Sequence, residues 1–512
     1  MRTRSLLYAS LLFLLGLPSQ ANNLSVSNIA IVGTDKVRFD ISWDNGWFIP
    51  GFNWDAVWIF VKAQDCAGTT TWDHVDLSTN ATQHTATGGT GLIVEASSDG
   101  KGVFIRRNSL GGLTQSATVT LQFAANMPAA ASTNFRVFGT EMVWVPQGNF
   151  SVGDGTTNSA TQSTAAFGTW SASTPWPIAS EGQINGDALR NGAESNTWHN
   201  TVPTTFPKGW AGFYCMKYEI SQQQYVAFLN ALTATQQFWR TANPPTSPAG
   251  TLAMTSAANQ NRNAIVVATP AAAGAPAVYA TDLNGDGTYG DGDDIACNYL
   301  SWTDLLSYLD WSGLRPMTEL EFEKAARGST LPVLTEYAWG STNILQAVSS
   351  ALNNAGMPSE ASTASGNGLC AHNGGSSTTL GPLRTGFAAT ANPLRERAGA
   401  SFWGVMDLSG NVWEQTISVG YYNGSARLPA TFIFTGANGD GRLTMFTGEF
   451  DVTTWPTAAG VGTTSAGTTI VRGGNWESSA QRAQISDRAF FSSVAENLTR
   501  VRRTGGRGVR RP

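Results

Sequence analysis

Charge is the scarcest commodity in this chain. Only 13% of its 512 residues are Asp, Glu, Lys or Arg, about half of the roughly 25% usual in soluble domains. Abundant hydrophobic residues (41%) and 18 tryptophans accompany that low charge, which excludes a disordered chain. The net charge of -5 gives no reason to expect nucleic acid as a partner. Cysteine and histidine number four each and lie far apart, so neither a C-x-x-C redox pair nor a dedicated zinc or three-histidine iron site is expected. Long apolar runs are also missing: outside the N-terminus nothing approaches the roughly 18 residues of a membrane-spanning helix.

What is present reads in segments. Arg2 and Arg4, the apolar run Leu6 to Leu17 and the small-residue site Ser19-Gln20-Ala21 form an export signal. The mature protein is therefore expected to start near Asn22 and to work outside the cytoplasm: secreted, periplasmic or at the cell surface. In that oxidising setting Cys66, Cys215, Cys297 and Cys370 allow up to two disulfides in three connectivities. A Cys215–Cys297 bridge is one such arrangement, leaving Cys66 and Cys370 unpaired in different domains.

From Val26 to about Val137 apolar residues alternate, as in Val37, Phe39, Ile41, Trp43 and Val57, Ile59, Val61. Short strands of this kind imply a β-sandwich, placed at residues 22–140. Beyond it, helix signals occur in three places. Ser221 with Gln224 precedes the stripe Tyr225, Phe228, Leu229, Leu232; Ser301 precedes Trp302, Leu305, Leu306, Leu309; Thr318 with Glu321 opens a third helix that Gly328 ends. The remainder reads as long loops with short strands, an α+β composition overall. Six arginines in the last thirteen residues, Arg500, Arg502, Arg503, Arg507, Arg510 and Arg511, read as a solvated basic terminus.

Asp282, Asn284, Asp286, Thr288 and Asp293 stand at positions 1, 3, 5, 7 and 12 of a calcium-loop spacing, with Gly287 at the sharp turn of position 6. Four side-chain oxygens and one carbonyl suit a hard cation. The competing reading is a glycine-rich polar surface turn. The similar-looking Asn438-Gly439-Asp440-Gly441 lacks ligands at positions 1 and 12 and reads as a turn.

Several segments together resemble one family. Glu141 to Gly148, Phe213 to Ser221, Asn298 to Trp302, Leu314 to Gly328, Tyr337 to Gly340, Gly404 to Glu414 and Val471-Arg472-Gly473-Gly474-Asn475-Trp476 follow in order over residues 141–512. They are similar to the formylglycine-generating enzyme, or sulfatase-modifying factor, domain, which implies an irregular C-type-lectin-like fold. The resemblance also implies a calcium site on the turn Asp407 to Glu414, with side-chain oxygens at Asp407 and Glu414 and carbonyls at Gly410 and Val412. Catalytic members carry two copper-binding cysteines six and eleven residues after the arginine of the Arg-Gly-Gly strand. Counted from Arg472, those positions hold Ser478 and Ala483; copper(I) needs soft thiolates, so copper and the family's oxidation are not expected. No helical domain with a histidine triad, as used by iron-dependent relatives, is visible.

The implied function is an exported, calcium-stabilised, non-catalytic binding or structural module with an extracellular protein or glycan as ligand. Trp476, Arg482, Arg488, Phe490 and Phe491 are the candidate ligand face, with core aromatics and surface arginines as the plainer reading. The alternative class is a metal- and oxygen-dependent oxidoreductase acting on a cysteine or small thiol through a variant site.

Overall fold

The computed structural model describes residues 23–65, 71–88, 91–126, 133–155, 167, 174–185, 201–255, 260–377, 379–389, 394–419, 421–422, 427–428, 433–456, 469–488 and 499–512. The expected signal segment, Cys66, Phe490 and Phe491 lie outside these residues.

Strands β1 (Ser25–Val32), β2 (Lys36–Ile49), β3 (Asn53–Asp65), β4 (Asp73–Val75), β5 (Thr85–Thr87), β6 (Leu92–Ala96), β7 (Val103–Arg107), β8 (Gly111–Gln122) and β9 (Thr133–Val145) occupy the first part of the chain. Strand β2 alternates between buried and open positions, and its inward residues Val37, Phe39, Ile41 and Trp43 pack with Val57, Ile59 and Val61 of β3 and Val103 and Ile105 of β7. Strand β3 behaves differently. Its other face, Ala56, Trp58 and Phe60, is equally buried, in a second and larger core with the helices. A strand covered on both faces reads as a continuous apolar run, and Ala56 to Val61 is one.

That two-sided strand ties the chain together. β9 pairs with β3 from Asp65↔Thr133 to Asp55↔Val143, then with β12 (Phe213–Met216) from Met142↔Met216 to Val145↔Phe213. The boundary expected at 140/141 thus falls inside a strand. An aromatic row, Phe48, Trp54, Trp144 and Tyr214, crosses β2, β3, β9 and β12 at centroid spacings of 5.7, 5.5 and 5.0 Å; such contacts stabilise a sheet beyond their buried area. Indole Nε1 of Trp58 donates to the Ser312 carbonyl at 2.8 Å, and Asn53 Nδ2 to that of Trp403 at 2.6 Å.

Four α-helices follow among the described residues: α1 (Gln222–Leu229), α2 (Ala234–Arg240), α3 (Trp302–Trp311) and α4 (Glu319–Arg327). Ser221, Ser301 and Thr318 cap α1, α3 and α4 through reciprocal capping boxes, and Gly328, at φ 76°, ends α4. Helix α2 is the one the sequence reading missed. Its signal was present, since Thr233 and Gln236 form the same box, but a helix this short shows too few turns for a periodicity. None of the helices is long and apolar enough to cross a membrane.

Helix α4 lies buried along its whole length despite its charges. Glu321 is held bidentately by Arg315 at 2.9 and 2.6 Å, and Glu323 receives Arg327 at 2.8 Å and Arg472 at 2.7 Å. Buried carboxylates survive only with such partners. The C-terminal arginines belong to the same design, which corrects the solvated terminus. Strand Gly508–Arg510 inserts between β12 and β15 (Arg315–Pro316), burying Arg507 against Glu414 and placing Arg510 4.0 Å from the Trp58 ring, with its guanidinium on Asp99. Arg500 pairs with Asp304, and Arg502 with Glu477.

Candidate functional site

The turn from Asp407 to Glu414 is built of unusual backbone. Asp407 (φ 59°), Gly410 (φ 93°) and Asn411 (φ 65°) all adopt left-handed conformations, which cost energy outside glycine and mark over-determined sites. Neighbours hold the turn: Gly410 N donates to Gly473 O at 2.7 Å, Asn411 N to Ala371 O at 3.0 Å, and Leu383 N to Asn411 Oδ1 at 2.8 Å. Glycine is required at 410, because a Cβ would lie 2.5 Å from the Cys370 sulfur and 2.6 Å from the Ala371 carbonyl.

Three carboxylates are buried around this turn. Asp407 Oδ2 accepts from Gly386 N at 2.5 Å; Glu219 takes Val412 N at 3.0 Å and Asn411 Nδ2 at 2.5 Å; Glu414 Oε1 takes Arg507 Nε at 2.6 Å. Glu414 Oε2 has no partner at all. Burial raises all three carboxyls, Asp407 to about 6, and repulsion from neighbouring carboxylates adds to the rise at Glu219 and Asp407. The cluster thus gathers three carboxyls beside the guanidiniums of Arg507 and Arg384 and keeps one orphaned oxygen, a donor set that fits a hard cation. Glu219 was not singled out from sequence; its signal lay only in the segment Phe213 to Ser221.

In the second candidate, the loop at 282–293, the side chains are engaged with the loop itself. Asp282 accepts Gly285 N at 2.8 Å and Gly287 N at 3.1 Å, Asn284 Oδ1 accepts Asp286 N at 2.9 Å, and Asp286 Oδ1 accepts Thr288 N at 2.7 Å. Gly287 takes the left-handed φ of 80° that its position requires. Asp293 turns to Thr281 Oγ1 at 2.6 Å and Gln223 Nε2 at 3.1 Å, while Asp291, absent from the expected ligands, takes Leu283 N at 2.8 Å.

Among the described residues, a third group, Asp310, Asp440 and Asp451, brings one carboxylate oxygen from each residue within 4.8 Å of the others. It joins the end of α3 to two loops: Asp310 accepts Asp440 N at 2.9 Å and Asp451 N at 3.0 Å. No local spacing could announce it, since Asp310 stands more than a hundred residues before Asp440 and Asp451.

Ser478 and Ala483, the positions expected for a cysteine pair, are closed in. Ser478 Oγ donates to Asn475 O at 3.0 Å and accepts Asn475 N at 2.9 Å. Ala483 is fully buried with Tyr337, Trp339 and Cys370. Cys370 gives its Sγ–H to Ser409 O at 3.2 Å, and burial pushes its thiol well up. Cys215 and Cys297 are also free buried thiols, so the bridge considered between them is not formed; each thiol instead faces a backbone carbonyl, at 3.5 and 3.7 Å.

Of the candidate ligand face, Trp476 and Arg488 lie inside the protein rather than at its surface. Trp476 and Arg488 are each only 2% exposed. Trp476 packs with Leu383 and Phe387 and donates to Arg502 O at 3.2 Å; Arg488 grips both oxygens of Glu319 at 2.7 and 2.8 Å. Arg482 is directed to Asp487 at 3.3 Å.

No curated protein matches the chain. Residues 128–510 match the sulfatase-modifying factor enzyme 1-like domain, a C-type-lectin-like fold, and the turn at 407–414 and the strand Thr469–Arg472 lie within that range. The chain therefore belongs to the formylglycine-generating enzyme (sulfatase-modifying factor) family.

Proposed function

We propose that this chain is an exported, calcium-stabilised, non-catalytic member of its family: a binding or structural module at the cell surface, with a β-sandwich ahead of the lectin-like domain. The observation that carries the reading is the pairing of a lost centre with a kept one. Ser478 and Ala483 occupy the cysteine positions, and Ala483 is packed under aromatic rings, while Glu414 keeps a buried, unpartnered oxygen beside Asp407 and Glu219. Calcium would be held by Asp407 and Glu414 with the carbonyls of Gly410 and Val412, and a second ion by the loop at 282–293. The sandwich is supported by the shared core of β2, β3, β7 and β8.

A ligand of the native state raises its stability by mass action. Thermal unfolding with millimolar calcium against chelator should show a clear rise in Tm, and an unchanged Tm removes the calcium reading. One observation favours the competing oxidoreductase: the Cys370 thiol sits in the same cluster as Ala483. Stoichiometric copper or iron binding with oxygen consumption on a thiol peptide would decide for it; neither is expected, because the thiol's burial disfavours the thiolate a metal needs.

A further inference from the structure

Two adjoining cavities, of about 300 and 90 Å³, run between β9, the residue ahead of β1 and helix α1, and share Leu24, Gly139, Thr140, Gln223 and Gln224 as walls. No charged residue lines the larger one. Three of its walls are rings, Phe60, Phe138 and Trp311, packed on one another at centroid distances of 4.8–5.2 Å. The smaller cavity is the reverse: Glu141, Glu219 and Asp294 line it, and no Lys, Arg or His does. Glu219 commits both oxygens to the turn at 411–412, but the other two carboxyls keep oxygens free. Glu141 accepts through Oε1 from Lys217, an ammonium it shares with Asp55. The Arg384 guanidinium acts on Asp294 only at a distance, being bonded to the carbonyls of Glu360, Thr385 and Gly386. Among the described residues, Glu141 Oε2, the Asp294 carboxyl and the hydroxyl of Tyr218, another wall residue, have no hydrogen-bond partner, and none of them is sealed from water. Glu141 and Tyr218 are otherwise buried, at 6% and 7% exposure.

We propose that this cleft binds an amphipathic amine, with a primary ammonium in the acidic cavity joined to an apolar body in the aromatic one. Charge complementarity selects the head. Glu141 and Asp55 share one ammonium and Asp294 is in no ion pair, so the acidic end holds carboxyls without counter-charges, and a ligand cation supplies one. An ammonium offers three donors and no acceptor, the complement of a set of open oxygens, and a cavity of about 90 Å³ admits a compact head. The neighbouring cavity selects the body. A bare metal ion would leave the ring-lined wall wet, whereas an aryl or alkyl group removes it from water, and about 300 Å³ is the size at which small-molecule sites begin. Neither the calcium reading nor the loss of the cysteine pair is needed for this site. With calcium held at one concentration throughout the test, failure here leaves the calcium-dependent Tm untouched.

The test uses the full chain and a series of phenylalkylamines with two to six methylenes, titrated by calorimetry and ligand-observed NMR at about pH 8, above the value of about 7 to which burial raises Glu141. The matching phenylalkanols and phenylalkanoates test the head, and methylamine tests the body. At least one phenylalkylamine should bind saturably, and its alcohol, its carboxylate and methylamine should each bind at least about tenfold more weakly. Asp294→Asn should weaken the amine at least about tenfold while leaving the alcohol nearly unchanged, and the cavity-filling Ala227→Phe should weaken both, with Tm confirming that each variant folds. Absence of saturation across the series overturns the proposal. A carboxylate or alcohol that binds as tightly as the amine, or amine binding undiminished in Asp294→Asn, overturns the ammonium head; binding undiminished in Ala227→Phe overturns the location.

Discussion

Arg488→Leu separates a buried structural arginine from a ligand contact. Arg488 and Glu319 form a two-pronged pair at 2.7 and 2.8 Å, and Glu319 is also held by Arg472 at 3.0 Å and by Val419 N at 2.9 Å. With Glu323, Arg327 and Glu336 these side chains form one chain of buried ion pairs carrying three charges of each sign. Removing Arg488 leaves one uncompensated negative charge in a dry interior. Breaking a buried pair from one side costs about 3–5 kcal/mol. Because Glu319 keeps Arg472, Val419 N and the Ser418 hydroxyl as partners, a loss near the lower end, about 3 kcal/mol, is expected in the urea midpoint followed by tryptophan fluorescence. Adding Glu319→Gln restores the balance at two charges of each sign, so the double variant should recover at least about 1 kcal/mol relative to Arg488→Leu. An Arg488→Leu protein as stable as wild type would refute the argument, and so would a double variant whose losses simply add.

Three further outcomes are expected. Lys217 lies 3.7 Å from Asp55 and 3.2 Å from Glu141, two buried carboxyls sharing one ammonium, and burial raises them to about 6 and about 7. An acid raised on folding is best tolerated with its proton on, so stability should fall as pH climbs from the ordinary 4.5 of Glu141 through about 7. Glu141→Gln should flatten that fall and gain up to about 3 kcal/mol at its upper end; parallel pH profiles for variant and wild type would contradict this. Gly410→Ala places a methyl 2.5 Å from the Cys370 sulfur in a left-handed turn and should cost more than about 1 kcal/mol, together with the calcium-dependent part of Tm; a Tm response to calcium like that of wild type would show that the turn is not the site. Glu414→Gln should also reduce that response, and an undiminished calcium shift in both variants would move the ion elsewhere, with the loop at 282–293 as the place to mutate next.

The parts of the molecule that were legible in the sequence are those written in local chemistry. Capping boxes at Ser221 and Thr318 predicted helix starts, and the order of motifs pointed to the family, because both depend on residues a few places apart. The illegible parts depend on what comes together across hundreds of residues. β3 alternates at Val57, Ile59 and Val61, which reads as one buried face; that Trp58 and Phe60 are buried too follows only from α3, which reaches the same strand some 250 positions later. The arginines failed for the same reason. The C-terminal arginines read as a solvated basic terminus, yet Arg507 and Arg510, like Arg315, Arg327, Arg472 and Arg488, are buried, each matched to a carboxylate that composition cannot locate. Much of the scarce charge in this chain lies inside. Long loops that lack helical or sheet periodicity are pinned at their roots by guanidinium–carboxylate pairs whose two-pronged geometry fixes direction as well as distance. That explains how a fold with four short helices among its described residues keeps strained turns such as Asp407 to Asn411 in place.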